Sequence, residues 1–244
     1  MSPSLRAALA SPDGKRRYVR TLFSTIADRY DLITRLLSYG QDRHWKQRVV
    51  TLACAGRTRD RRQPRGLDLA SGTGDIAFAL ASRAVNVVGL DITHRMLVLA
   101  AAKRRDAAFI TGDMAALPFL ARTFDIVTTG YGLRNVPDIT TALAEIARVL
   151  MPGGVFVSLD FNRPSNAVVR GVYLTYLTVV GSTLGFLLHR DPDTYRYIPE
   201  SIRRYPGALA VNEMIRAAGF SSSEYIPVLG GLMAIHRATR ADEQ

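Results

Sequence analysis

Leu67-Asp68-Leu69-Ala70-Ser71-Gly72-Thr73-Gly74-Asp75 is the stretch on which the reading of this chain turns. An apolar run carrying Asp68 has the pattern of a buried strand end, and Ile76, Ala77, Ala79 and Leu80 restart beyond it at helical spacing. Between them Gly72 and Gly74 make a tight turn whose backbone a ligand can approach closely, because no Cβ stands in the way. A helix N-terminus placed there favours polar or anionic groups beside it. The spacing Gly72-x-Gly74-x-x-Ala77, with Asp91 further along, also satisfies the dinucleotide fingerprint. Taken by itself the turn predicts a nucleotide-type cofactor without saying which.

Outward from the turn the chain alternates. A helix over 75–83 leads to strand Val85–Leu90 with Asp91 at its end, and a helix over 94–104 leads to strand Ala108–Thr111 before Gly112-Asp113. Strand Phe124–Thr129, a helix over about 138–150 and strand Val155–Leu159 follow, with Met151-Pro152-Gly153-Gly154 as the helix stop. A helix over 207–218 ends at Gly219, and strands over 223–229 and 231–238 meet at Gly230-Gly231, a turn that suits an antiparallel hairpin. The pattern predicts an α/β fold: a seven-stranded, mostly parallel sheet with a C-terminal antiparallel hairpin. Ligands in such sheets bind beyond the carboxyl ends of the strands, where Asp68, Asp91, Asp113, Gly130 and Asp160 all fall.

Residues 1–17 are expected to be a flexible basic leader, and 18–244 a single domain that opens with a helical region over 18–56. In that region Val19, Leu22, Phe23 and Ile26 share one face, Leu32, Ile33, Leu36 and Leu37 form a second stripe, and a third helix begins near Asp42. Residues 165–205 interrupt the alternation. Val172 to Leu188 is an uncharged apolar run, short of the ~20 residues that span a bilayer and containing Gly181 and Gly185. A buried or interfacial helix pair is the expectation there.

A net charge of +11 gathers in Lys15-Arg16-Arg17 with Arg20, and in the tract from Arg57 to Arg65. Solvated loops, an anionic membrane surface and nucleic acid are all compatible with such tracts. No aromatic residue interleaves the second tract, so base stacking is unsupported and nucleic acid is not the expected partner. The single cysteine, Cys54, excludes an internal disulfide and fits a reducing compartment. The start of the chain lacks the apolar core of a secretory signal, and the four histidines show no ligand spacing, so no metal is expected.

Asp68-x-Ala70-x-Gly72-x-Gly74 resembles the first motif of class I S-adenosylmethionine methyltransferases. Asp113-Met114 followed by Leu117-Pro118-Phe119 and Phe124-Asp125 looks like the adenine edge of those enzymes, and Arg148 to Gly154 like their helix stop. Phe23-x-x-Ile26-Ala27-x-x-Tyr30-Asp31, Leu37 to Asp42 with Arg43-x-Trp45-Lys46, Gly130-Tyr131-Gly132-Leu133-Arg134-Asn135-Val136 and Asp193-x-Tyr195-x-Tyr197-Ile198-x-Glu200 narrow the likeness. Together they resemble the ubiquinone/menaquinone biosynthesis C-methyltransferases, from about Tyr18 to Arg237. Three positions depart from that pattern: Gly130 stands where Ser is frequent, Asp113 where Asn is common, and Leu159-Asp160-Phe161-Asn162 replaces a frequent Leu-Glu-Phe-Ser.

The resemblance implies a class I methyltransferase fold, S-adenosyl-L-methionine as cofactor, and a cofactor site made by Asp68, Ser71, Gly72, Thr73, Gly74, Asp91, Asp113, Met114 and Gly130. It also implies transfer of a methyl to a ring carbon of a prenylated quinol, demethylmenaquinol first and a ubiquinol precursor second. That chemistry needs an electron-rich ring carbon, hence a group that polarises a neighbouring phenolic hydroxyl, and an in-line arrangement of carbon, methyl and sulfur. The candidates are Arg134, Asn135, Tyr30 and Asp160. Arg134 could instead pair with a strand-end acid, Tyr30 could be a packed aromatic, and Asp31 is expected as a helix cap or turn residue. His94 is expected to face solvent, and His189, before Arg190-Asp191-Pro192, could edge the substrate cleft without being expected there. The remaining expectations are a cytoplasmic protein that meets the inner face of the membrane peripherally, with a second copy of the chain as a further partner. Two other readings stay open: a methyltransferase for another lipophilic acceptor, and a basic nucleotide-binding or nucleic-acid-binding module.

Overall fold

A computed structural model describes residues 5, 10–55, 63–191 and 194–242. The arginines from 57 to 62 and Asp193 lie outside the described residues. The sheet comprises β1 (Arg65–Leu69), β2 (Asn86–Asp91), β3 (Ala108–Thr111), β4 (Phe124–Gly130), β5 (Leu150–Phe161), β6 (Phe220–Val228) and β7 (Met233–Arg240). Its order is β3-β2-β1-β4-β5-β7-β6, with β7 antiparallel to both neighbours and every other pairing parallel. From β1 the chain winds outward first through β2 and β3, and then on the other side through β4 and β5. The crevice beyond the ends of β1 and β4 is therefore the topological switch point where α/β sheets bind ligands.

Alternation along the central strands sorts side chains to two faces. Leu67, Leu69 and Val127 join one core with α6 (Ile139–Val149) and α9 (Ala208–Ala217). Ile126, Val155 and Val157 join a second with α3 (Asp42–Cys54) and α4 (Asp75–Ala81), which bring Trp45, Val49, Ile76 and Leu80. Between β2 and β3 runs α5 (His94–Lys103). The expected seven-stranded architecture is present, with small changes at its ends. β5 already pairs Leu150 with Phe124, and the Met151–Gly154 stretch forms an irregularity before Val155 pairs with Ile126. The C-terminal hairpin turns through Leu229–Gly231.

Two expectations change. Residues 12–17 are not part of a flexible leader but the first turns of α1 (Pro12–Ile26), capped where the Ser11 hydroxyl accepts from the Gly14 amide at 3.1 Å. A serine followed by proline at the first helical position is a strong helix start, and Lys15 and Arg16 are held by the sheet end rather than by solvent. After α1 come a short 3-10 turn and α2 (Tyr30–Leu37). The second change is the apolar run, which belongs to a single helix, α7 (Ala167–His189), of 23 residues. Ala167–Gly171 extends it, so its length and composition suffice to cross a membrane, although only 28% of its most apolar window is buried. Its inward face, with Leu174, Leu177, Gly181 and Gly185, packs on the protein beside α8 (Tyr197–Arg204).

Candidate active site

The glycine turn is shaped by backbone that a side chain would block. Gly74 caps α4 at φ +88°, and a Cβ there would lie 2.6 Å from the Phe78 ring. Gly72 donates its amide to Asp91 Oδ2 at 2.9 Å, while Thr93 donates its amide to Oδ1 at 2.8 Å. Burial raises the Asp91 pKa, and these two amides work against that rise. Asp68, also buried, accepts from the Thr128 hydroxyl at 2.8 Å, and desolvation pushes its pKa to about 7.

Beyond the turn lies a cleft of about 680 Å³ whose walls include Gly72, Asp91, Asp113, Met114 and Gly130. Where Ser is frequent, Gly130 leaves room that Ile76 fills: a Cβ at 130 would come within 2.7 Å of Ile76 Cδ1. α1 covers this cleft with Val19 and Phe23. It is fastened by Arg16 Nε to Asp113 Oδ2 at 2.6 Å and by Lys15 Nζ to the carbonyls of Arg134 and Val136, at 3.1 and 2.5 Å.

A smaller recess of about 300 Å³ continues past Tyr30 and holds Asp68, Ser71, Thr73, Lys46 and Tyr131 on its walls. Lys46 bridges Asp42 at 2.6 Å and Asp75 at 2.8 Å, and the Tyr131 hydroxyl donates to Asp42 at 2.7 Å. Burial lowers the Lys46 pKa, and the Asp75 and Asp42 carboxylates that it bridges work the other way and keep the ammonium charged. Asp31 is neither a cap nor a turn residue. Its carboxylate accepts from Thr73 Oγ1 and from Lys103 Nζ, both at 2.6 Å, and so straps α2 to the glycine turn. Tyr30 lines both cavities, and burial raises its pKa, so its hydroxyl is a donor rather than a phenolate.

Of the four candidate chemical groups, Tyr30 and Asn135 border the cleft. Arg134 and Asp160 pair with one another at 3.0 Å and are only 5% and 2% exposed. The Arg134 amide also donates to Asp160, its Nε to Ser201 Oγ at 3.2 Å, and its guanidinium stacks 4.8 Å from the Phe161 ring centre. Burial raises the Asp160 pKa against the pull of Arg134. The pair fixes the Leu133–Asn135 turn, in which Asn135 Nδ2 donates to the Tyr131 carbonyl at 2.8 Å and its Oδ1 accepts from Tyr197 at 3.1 Å. His94 is exposed. His189 does not line the cleft and makes a 2.9 Å hydrogen bond with the Tyr195 hydroxyl. No group of three or more His, Cys, Asp or Glu among the described residues is placed to hold a metal.

Lys15, Arg16, Asp75 and Tyr131 were not singled out as site residues from sequence. Lys46 carried one usable signal, its i,i+4 spacing from Asp42 ahead of a buried Trp45.

The sequence model of the ubiE/COQ5 methyltransferase family matches residues 12–240. The chain belongs to that family. Among curated relatives, a demethylmenaquinone methyltransferase from Thermus thermophilus is 42% identical over 90% of this chain and 100% of its own length. A ubiquinone/menaquinone biosynthesis C-methyltransferase from Serratia proteamaculans is 39% identical, covering 92% and 91% respectively. In fold, this methyltransferase is similar to a solved SAM-dependent methyltransferase from Thermotoga maritima, with a TM-score of 0.64 and 17% identity over 91% of this chain and 99% of that one.

The cavities of this family member suit S-adenosylmethionine on their own chemistry. Asp91 is a buried acceptor at the switch point, and Met114 and Val136 offer apolar faces beside Asp113. The approach over Gly132 is close, since a Cβ there would lie 2.5 Å from Thr129 Oγ1. The recess is lined by the Lys46 ammonium, by Asp75, which pairs with it, and by Asp68, so that positive and acidic groups share one wall, a match for a zwitterionic amino-acid tail.

Proposed function

We propose that this protein transfers a methyl from S-adenosylmethionine to a ring carbon of a prenylated quinol, with demethylmenaquinol as first substrate and a 2-methoxy-6-polyprenyl-1,4-benzoquinol as second. The observation that carries the reading is the two-part cavity joined at Tyr30 and roofed by helices that continue into an exposed apolar face. Bound S-adenosylmethionine supplies an electrophilic methyl on a sulfonium. Asp113 and Met114 hold the adenine end, Asp91 the ribose hydroxyls, and Lys46 with Asp68, Ser71, Gly72 and Thr73 the amino-acid end; Gly74 and Gly130 keep the backbone close.

Tyr30 and Asn135 are then the residues that touch the quinol head. The protonated Tyr30 would donate to a ring oxygen, and the Asn135 amide, held from both ends by Tyr131 and Tyr197, would fix the ring plane; the sulfonium would leave as a neutral thioether, and the ring-carbon proton that the methyl replaces would be released to bulk water. Arg134 and Asp160 are positioning residues: their buried pair sets the turn that carries Asn135. Alignment supplies most of the barrier reduction in such a transfer. Water exclusion comes from α1 and α2.

The prenyl tail needs an apolar road to the site. Leu184 and Leu188 of α7 pack beside Ile26, Ile33 and Tyr30, and the Tyr39 hydroxyl at the end of α2 is hydrogen-bonded to that of Tyr176. On the same elements Leu36, Val172, Val179 and Phe186 are exposed. This face lies on the inner leaflet of the cytoplasmic membrane, with neighbouring Arg35, Arg43 and Arg190 toward anionic headgroups. The test is incubation of the full chain with labelled S-adenosylmethionine and reduced demethylmenaquinone beside the benzoquinol. Label in either product supports the reading, and label in neither overturns it.

A further inference from the structure

Three residues of α1, Arg16, Val19 and Phe23, form part of the cofactor cleft wall, at the spacing of one helix face. Val19 and Phe23 are apolar, as a cover needs to be. Arg16 is not, and a charged residue on the inward face of a cover calls for a reason. Asp113, on the same wall, supplies half of one: Arg16 Nε donates to its Oδ2 at 2.6 Å. The other carboxylate oxygen accepts from the Ala115 amide at 2.9 Å. The rest of the guanidinium is less committed. Nη1 donates to Asp13 Oδ1 at 2.7 Å, and Nη2 makes no hydrogen bond among the described residues. Neither side chain is sealed, since Arg16 is 40% and Asp113 23% exposed.

The pair has a chemistry that neither member has alone. Adenine carries an exocyclic amine that donates, beside ring nitrogens that accept. A carboxylate only accepts, and a guanidinium only donates. Held together, Asp113 and Arg16 offer an acceptor and a donor side by side, with the carboxylate's charge offset.

We propose that Arg16 is a cofactor-binding residue: its guanidinium donates to a ring nitrogen of the adenine while Asp113 accepts from the amine, so that the cofactor clasps shut the helix that covers it. This role rests on the placement of adenine at Asp113 given above and extends it to the cover. The coupling is reciprocal. Whatever factor the docked α1 adds to cofactor affinity, bound cofactor adds to the docking of α1.

The test is calorimetric titration of the full chain with S-adenosylhomocysteine and with methylthioadenosine, which carries the adenosine end without the amino-acid tail. Amide hydrogen exchange over α1 is followed at ligand saturation. In wild type both ligands should bind and slow exchange in α1. Arg16→Ala should weaken both by the same factor, about tenfold for one charge-assisted hydrogen bond, and remove a like share of the slowing. Arg16→Lys, which restores the charge but not the planar fork, should recover only part of the affinity. Asp13→Ala frees Nη1 yet leaves the pair with Asp113, so its affinities should stay within about twofold of wild type, against the tenfold loss above. Thermal unfolding of each variant checks that the fold persists. Equal affinity in wild type and Arg16→Ala overturns the proposal and leaves Arg16 a surface latch. An equal loss in Asp13→Ala and Arg16→Ala overturns it too, by tracing the effect to the helix itself. So does a loss for S-adenosylhomocysteine alone, which puts Arg16 at the amino-acid end. Wild type that binds neither ligand removes the cofactor placement itself, and the role of Arg16 with it.

Discussion

Asp91 reaches the cleft already holding two backbone amides, so its two carboxylate oxygens are oriented before any ribose arrives. Replacing it with Ala removes charge-assisted acceptors worth about 1.5–3 kcal/mol each. The affinity for S-adenosylmethionine in calorimetric titration should fall by at least about tenfold, and the melting temperature should fall too, because the Gly72 and Thr93 amides lose their acceptor. Asp160 behaves differently. Asp160→Ala leaves the Arg134 guanidinium buried and uncompensated, which costs about 3–5 kcal/mol, and denaturant titration should register it as lost stability. Asp68 predicts a pH dependence. Its folded pKa is raised to about 7 from an ordinary 3.8, so the folded state holds a proton that the unfolded chain has released. The stability this contributes is complete below the unfolded value and is lost as pH rises toward 7, at up to about 1.4 kcal/mol per pH unit. Asp68→Asn should flatten the fall in unfolding free energy measured between pH 4 and pH 8. At this scale the strand-end acids were legible in the sequence because each closes an apolar run. Asp31 was not, because its partners, Thr73 and Lys103, lie 42 and 72 residues away in the chain.

Helices show where sequence reading was strong and where it failed. The βα alternation was legible from apolar runs and glycine stops, and the strands were located to within a few residues. α1 was misjudged over its first turns because basic residues suggest solvent, whereas Lys15 and Arg16 meet carbonyls and a carboxylate supplied by distant loops. α7 is apolar on nearly every side, so no stripe distinguishes its packed face from its exposed one. Its outward residues predict a separable effect. Val179→Glu and Phe186→Glu together should abolish co-flotation with anionic liposomes and raise KM for long-tailed quinols, while the melting temperature and S-adenosylmethionine affinity stay close to wild type. Unchanged flotation would remove the membrane face from the reading.

Across the whole molecule the site is a property of topology before it is one of residues. The order of β1, β4 and β2 opens the crevice, the carboxyl ends of β1, β2 and β4 bring Asp68, Asp91 and Gly130 to it, Asp160 at the end of β5 anchors the turn behind it, and the N-terminal helices close it. One feature of that closure bears on how the protein is made. Lys15 fastens α1 to carbonyls 119 and 121 residues downstream. On the ribosome α1 therefore waits, its apolar face unpaired, until β4 and the turn after it have left the exit tunnel. The cover of the cofactor cleft is synthesised before the strands it covers and seated after them. During that interval the apolar face of α1 is open to chaperones and to the membrane surface.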